Sequence, residues 1–526
     1  MLKKLIMVAI FLRATTSFAY DHKALSLEEK VGQLLLVHFS GEEVSEEAKK
    51  LVCEVKVGGI IYFSWANGLN STSQVRALSE DLQKLSTIPL WIAVDQEGGV
   101  VGSLKEGFTE FAGNKALAMT GDTLLAKEVA FCIGKELRSV GINMNFAPVV
   151  DVNVNPKNPT IGLRSFGETA DEVAVFGKEM LDGYHAAHVF TTLKHFPGHG
   201  DVLVDSHDRL PIVNKSRKEL EQVELLPFAK LSSLTDAIMT AHILVPALDE
   251  TKCATLSSSI LGYLRHEIGF PGLIISDSLI MKGALAGGIS VEESAIQALE
   301  AGCDLLILGG KLFHSCEQCE LFFSDIKSVH QAIVQAVKQG RLSEARIDES
   351  VERSLRKKEQ YLASLIKPFS VDEEAHRTVA QKVAKQALKH TAKDPVVLQG
   401  KKIGLFAPSI LQKNLSKLSF FREGSSQISF FCQMSPSQEE IEESTKRALD
   451  ADVLFVCSYN AWKNSSQILW IESLMSMGKP VVLWVTRDPL DATLFPVAAE
   501  TVLLHSPTFF SLQAARDLYL QISEGS

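Results

Sequence analysis

The feature that most constrains this chain is an alternation of short apolar runs with longer amphipathic ones between residues 30 and 310. Eight apolar runs stand out in order: 33–38, 58–63, 90–94, 144–149, 189–193, 237–240, 273–276 and 304–308. Most are continuously apolar, as strands covered on both faces must be. Between them, segments such as 73–85 and 123–140 space their apolar residues three and four apart, which predicts helices. Strand and helix repeated eight times predict a (β/α)8 barrel of about 250 residues plus insertions. The fold class is therefore α/β.

The residues that end the strands point to catalysis. Asp95, Asp151, Lys194-His195, His242 and Asp277 all fall at predicted strand ends, and barrel enzymes build their sites at that face. One polar residue after one strand is ordinary. Five ionisable ends converging on one rim are not.

The densest of these segments is 194–211, KHFPGHGDVLVDSHDRLP. It carries His195, His199 and His207 with Asp201, Asp205 and Asp208, and Pro197, Gly198 and Gly200 interrupt regular structure. Three readings stand at this point. The groups can simply decorate a glycine-rich loop, or the three histidines can ligate a metal. The third reading is acid/base chemistry, in which Asp205, two residues before His207, orients the ring and favours its charged form. With Asp277 across the barrel mouth, a carboxylate and a proton donor are the minimum set for a retaining glycosidase.

At 526 residues the chain is too long for one ordinary domain. We place the barrel at 25–368, a helical linker at 369–400 and a smaller α/β domain at 401–526. The barrel includes a closing helix near 347–367, and the linker a second helix near 372–393. The last domain rests on apolar runs at 403–406, 428–432, 453–457, 481–485 and 501–505. It has no glycine-rich phosphate loop, and no cofactor is expected. A net charge of −10 argues against a nucleic-acid partner. Residues 1–19 read as a signal peptide: Lys3 and Lys4, an apolar core, then Ser17-Phe18-Ala19. The mature protein is therefore expected outside the cytoplasm, with no membrane span. Eight cysteines are too sparse for a disulfide framework. The pair Cys316 and Cys319 reads as surface thiols or a local disulfide rather than a zinc site.

Taken together, DQEGG (95–99), FAPVVDVNVNP (146–156), IGLRSFG (161–167), KHFPGHG…DSH (194–207), TAHILVPALD (240–249) and ISDSLIMKGAL (275–285) resemble the bacterial β-N-acetylglucosaminidases of glycoside hydrolase family 3. The segments keep the family's order and span the barrel, and the histidine block separates these enzymes from the family's glucosidases. The resemblance implies Asp277 as nucleophile and His207 as general acid/base with Asp205 as its partner. It also implies that Asp95, Arg164, Lys194 and His195 hold the sugar, and that no metal takes part. The implied substrate is a terminal β-linked N-acetylglucosamine on peptidoglycan fragments. The chain departs from the family at Val100 and Ser103, where arginines are usual, and at Ser278, where a second aspartate is common. The alternatives at this stage are a sugar-binding protein without turnover, a β-glucosidase and a metal-dependent barrel hydrolase.

Overall fold

A computed structural model describes residues 21–104, 106–310, 320–362, 369–418 and 427–523. The proposed signal peptide and the Cys316/Cys319 pair lie outside the described residues.

Eight parallel strands form the first sheet: β1 (Leu35–Val37), β2 (Gly59–Tyr62), β3 (Trp91–Val94), β6 (Met144–Asn145), β7 (Phe190–Phe196), β8 (Ala237–Thr240), β9 (Leu273–Ser276) and β10 (Leu306–Leu308). Between β3 and β6 the chain makes a separate small hairpin of β4 (Gln96–Gly98) and β5 (Val101–Gly102). The order in the sheet is β10-β1-β2-β3-β6-β7-β8-β9, and a bridge between Ile275 and Leu305 brings the two ends together into a nearly closed barrel. The alternation along each strand explains the continuous apolar runs. Leu36, Ile61, Trp91, Ala93, Met144, Phe190 and Met239 point inward and fill the barrel. Leu35, Val37, Ile60, Ile92 and Val94 point outward under the helices. Both faces are dry, and each large apolar side chain so buried contributes about 1.5–3 kcal/mol.

The helix Glu344–Leu362 plugs the end of the barrel opposite the site. Tyr361 and Leu362 join the interior cluster, and Ser354 Oγ accepts a hydrogen bond from Trp91 Nε1 at 3.2 Å. This is the closing helix expected near 347–367; its predicted last residues lie outside the described ones.

Two expectations need correction. The fifth barrel strand does not stop at residue 193. It runs through Phe196, so Lys194 and His195 belong to the strand and only residues after it form the loop. Their polar side chains hid this, because a strand that opens into a site no longer reads as apolar. The helix expected over 372–393 also ends early, at Ala387. Lys389–Ala392 instead forms β11, an exposed strand antiparallel to β16 (Glu500–Leu503). That pairing is made with residues far along the chain, which local periodicity does not report.

The second sheet contains β11, β12 (Ile403–Pro408), β13 (Gln427–Cys432), β14 (Val453–Ser458), β15 (Val481–Val485) and β16, in the order β11-β16-β15-β14-β12-β13. All but β11 run parallel. The helix Phe509–Ser523 packs against one face through Leu512, Ala515 and Tyr519, while Trp470, Ile471 and Leu474 cover the other. The helix Glu373–Ala387 lies between the two units, touching Asn114–Thr120 of the barrel and Phe509–Ser523 of the second domain.

Candidate active site

The site grows from the carboxyl ends of the barrel strands, and its deepest layer is a charged cluster. After β3, Asp95 leads into the β4–β5 hairpin, which carries Glu97. Lys194 on β7 donates to Asp95 Oδ1 at 2.6 Å and lies 2.7 Å from Glu97 Oε1. Arg164 grips Glu97 with both arms of its guanidinium, Nε to Oε2 at 2.9 Å and Nη2 to Oε1 at 2.8 Å. Burial works to raise the carboxyl of Glu97, but the Arg164 and Lys194 charges win and hold it at about 2. Such a fixed set of acceptors and charged donors suits a polyhydroxylated ligand.

His195 stands beside this cluster. Its Nδ1 lies 2.7 Å from Asp151 Oδ2, and Arg164 Nη2 lies 3.2 Å from its Nε2. A carboxylate accepts at one nitrogen and a guanidinium donates at the other, so the ring is neutral with its proton on Nδ1. Burial, with Arg164 and Lys194 adding to it, drives the His195 pKa well down. Asp151 is fully buried and also accepts the backbone N–H of His195 at 3.1 Å and of His199 at 2.7 Å.

Beyond the cluster lie the reactive candidates. Asp277 follows β9, and one of its carboxylate oxygens accepts the Ser278 N–H at 2.7 Å. His242 Nε2 donates to the Ser278 carbonyl at 2.9 Å, which pins the backbone there. Burial opposes ionisation of Asp277, yet His242, His207 and the Ser278 N–H outweigh it and lower its pKa. On the loop after β7, Asp205 Oδ1 accepts both the His207 N–H at 2.9 Å and its Nδ1–H at 2.7 Å. Burial favours neutral His207, but the Asp205 hydrogen bond and charge prevail and raise its pKa. His207 is 49% exposed, accessible to a ligand and to solvent.

All seven residues expected in the site—Asp95, Arg164, Lys194, His195, Asp205, His207 and Asp277—line one cavity of about 560 Å³. The three histidines do not converge as ligands would. His195 faces Asp151 and Arg164, His199 Nε2 faces Ser206 Oγ at 3.2 Å, and His207 faces Asp205. Among the described residues, no group of three or more His, Cys, Asp or Glu is placed to hold a metal ion.

Reading the sequence left three contributors unassigned. Glu97 lies inside DQEGG, two residues after Asp95, and that position was its only signal. Asp151 was read only as one of the ionisable strand ends, whereas it fixes the His195 ring. Trp65 lines the cavity at 39% exposure and stacks on Phe63 with ring centroids 5.4 Å apart. An aromatic face at a saccharide-sized cavity can cover the apolar side of a sugar ring. Of the two departures Val100 and Ser103, the second lines the cavity, and Ser103 Oγ donates to the Asp95 carbonyl at 3.2 Å. Position 103 therefore braces the hairpin and carries no charge.

Comparison with known proteins gives the same picture. Residues 26–357 match the model of the Glycosyl hydrolase family 3 N terminal domain. Beta-hexosaminidase A of Pseudoalteromonas piscicida is 36% identical over 382 residues, which is 67% of this chain and 62% of that protein. The chain thus spans about three fifths of that relative's length. The Beta-hexosaminidase of Photobacterium profundum is 35% identical over 277 residues, 52% of this chain and 81% of that one. The solved structure of a glycoside hydrolase family 3 beta-N-acetylglucosaminidase from Paenibacillus sp. str. FPU-7 superposes with a TM-score of 0.85 at 35% identity. That superposition covers 95% of this chain and 97% of the other. A family match across the whole barrel, set on this cluster of strand-end residues, places the chain in glycoside hydrolase family 3.

Proposed function

We propose that the protein is an exo-acting, retaining β-N-acetylglucosaminidase that removes terminal N-acetylglucosamine from peptidoglycan fragments. The observation that carries the reading is the placement, in one cavity, of a carboxyl (Asp277) and an imidazole (His207) whose Nδ1–H is bonded to Asp205, with surroundings that favour the ionised form of the first and the protonated form of the second. Similarity to proteins named as hexosaminidases supports the sugar.

The reaction runs in two displacements. Asp277 attacks the anomeric carbon as the bond to the leaving oxygen breaks, and the imidazolium of His207 gives that oxygen its proton. The product is a glycosyl ester on Asp277 and a neutral His207. His207 then takes a proton from water, the hydroxide attacks the anomeric carbon, and Asp277 leaves as carboxylate. Asp205 stabilises the imidazolium at both ends of the cycle. Asp95, Arg164, Lys194 and His195 hold the sugar while this happens, because positioning supplies much of the rate. Closure of the loop after β7 on substrate completes the site.

The first experiment compares release of a chromogenic leaving group from a β-N-acetylglucosaminide and a β-glucoside, with chelator present. Cleavage of the first alone, unaffected by chelator, is expected. Equal cleavage of both would favour a β-glucosidase; loss with chelator would favour a metal hydrolase; no cleavage would favour a binding protein. We also propose that residues 1–19 are an export signal, which suits a substrate shed from the cell wall. Protein recovered from an exporting host should then begin at Tyr20, and an intact Met1 in the exported protein would refute this.

A further inference from the structure

The loop after β7 carries the proposed proton donor, and its two ends are clamped. Lys215 Nζ lies 2.8 Å from Asp201 Oδ2 and also pairs with buried Glu224. Leu244 donates its N–H to the Pro211 carbonyl and accepts the Val213 N–H, each at 2.9 Å. Between these clamps run residues 202–210. The Asp205 carbonyl folds them into a turn, accepting the Asp208 N–H at 3.1 Å and the Arg209 N–H at 3.2 Å. Leu203 projects to solvent at 72% exposure. Among the described residues, this segment makes two hydrogen bonds to anything outside itself, and both are at Ser206.

Ser206 is a buried peg. It is 2% exposed although it stands between Asp205 and His207, whose side chains are both partly open. Its Oγ lies 3.2 Å from His199 Nε2, and its carbonyl accepts the Gly283 N–H at 3.0 Å. A side chain at 283 would meet that carbonyl at 3.1 Å and His242 Cβ at 2.9 Å, so a glycine there lets the loop come this close. Gly283 belongs to the segment that follows Asp277, which ties the donor's loop to the nucleophile's.

His199 is the socket. Its ring is 2% exposed and meets the His195 ring edge-on, with centroids 5.9 Å apart. Among the described residues, Nδ1 has no hydrogen-bond partner and Nε2 faces Ser206 alone. Burial lowers the His199 pKa and keeps the ring neutral. A neutral imidazole can donate or accept at Nε2, and a hydroxyl can meet either. The backbone beneath the ring is fixed. Its N–H donates to Asp151 Oδ1 at 2.7 Å, and its carbonyl accepts from Asn158 Nδ2 at 2.8 Å.

A rigid, buried ring whose one engaged nitrogen meets the otherwise untethered segment is placed to hold that segment down. We propose that His199 and Ser206 form a catch that seats the loop, and that both are positioning residues acting through His207. This rests on the glycosidase reading above and adds to it what keeps the proton donor in the cavity with the nucleophile.

The test compares kcat/KM for two β-N-acetylglucosaminides, one with a phenyl leaving group and one with a dinitrophenyl group, whose departure needs little help from an acid. Ser206→Ala and His199→Leu should each lower the phenyl value about tenfold, the size of one lost hydrogen bond, and the dinitrophenyl value by less than about twofold. The double variant should do no worse than the poorer single one, because the two residues share one contact. Both substrates meet the same protein sample, so any misfolded fraction cancels from the ratio of the two values. A ratio unchanged from wild type in either single variant, or losses that multiply in the double variant, overturns the catch. If the wild-type protein cleaves neither compound, the glycosidase reading falls, and amide hydrogen exchange then decides the catch by itself. Exchange at residues 202–210 and at the Gly283 amide about tenfold faster in both single variants would sustain it; exchange at the wild-type rate would overturn it.

Discussion

At the scale of single residues, the proposed mechanism rests on opposed shifts of two groups. The surroundings favour ionised Asp277 and protonated His207, so kcat/KM should rise through a low acid limb and fall as pH climbs through the raised pKa of His207. Asp205 is the largest influence that raises His207. Asp205→Asn removes that charge while keeping the shape, so the alkaline limb should move to lower pH. A pH–rate profile with an unmoved alkaline limb would contradict the pairing. Most of these residues were legible because each stands at a strand end or in a short motif. Glu97 and Asp151 were less so. Their partners Arg164 and His195 lie 67 and 44 positions away, and only the folded barrel brings them together.

Secondary structure was read well where burial set the pattern and poorly where function or distant pairing did. β8, β9 and β15 have the extents that their apolar runs imply. β7 was cut short because its last residues serve the site, and β11 was read as helix because its partner is β16. The charged cluster also ties elements together. Glu97 on the β4–β5 hairpin joins Lys194 of β7 to Arg164 in the short helix Gly162–Arg164. All three side chains are largely buried, with Glu97 and Lys194 each at 2%. Glu97→Ala would leave buried Arg164 without its carboxylate and Lys194 with Asp95 alone, and should cost about 3–5 kcal/mol. Thermal or urea unfolding measures this, and a loss below about 1 kcal/mol would show the cations find other partners.

At the scale of the molecule, two α/β units meet through the helix Glu373–Ala387, which touches both. The barrel supplies the charged cluster and both of the proposed reactive groups, while the second domain reaches the barrel surface through Lys463. The two-unit plan was legible because both units repeat strand and helix. What the second domain does was not, because its sequence carries no glycine-rich phosphate loop to mark a site. The central claim is that Asp277 forms a covalent glycosyl-enzyme. The most direct measurement is mass spectrometry after reaction with a fluorinated N-acetylglucosaminyl fluoride, a reagent that makes the ester quickly and loses it slowly. The account predicts one added sugar per chain, mapped to the peptide containing Asp277 and absent from Asp277→Ala. A sugar on another carboxylate, or steady turnover of substrate by Asp277→Ala, would contradict it.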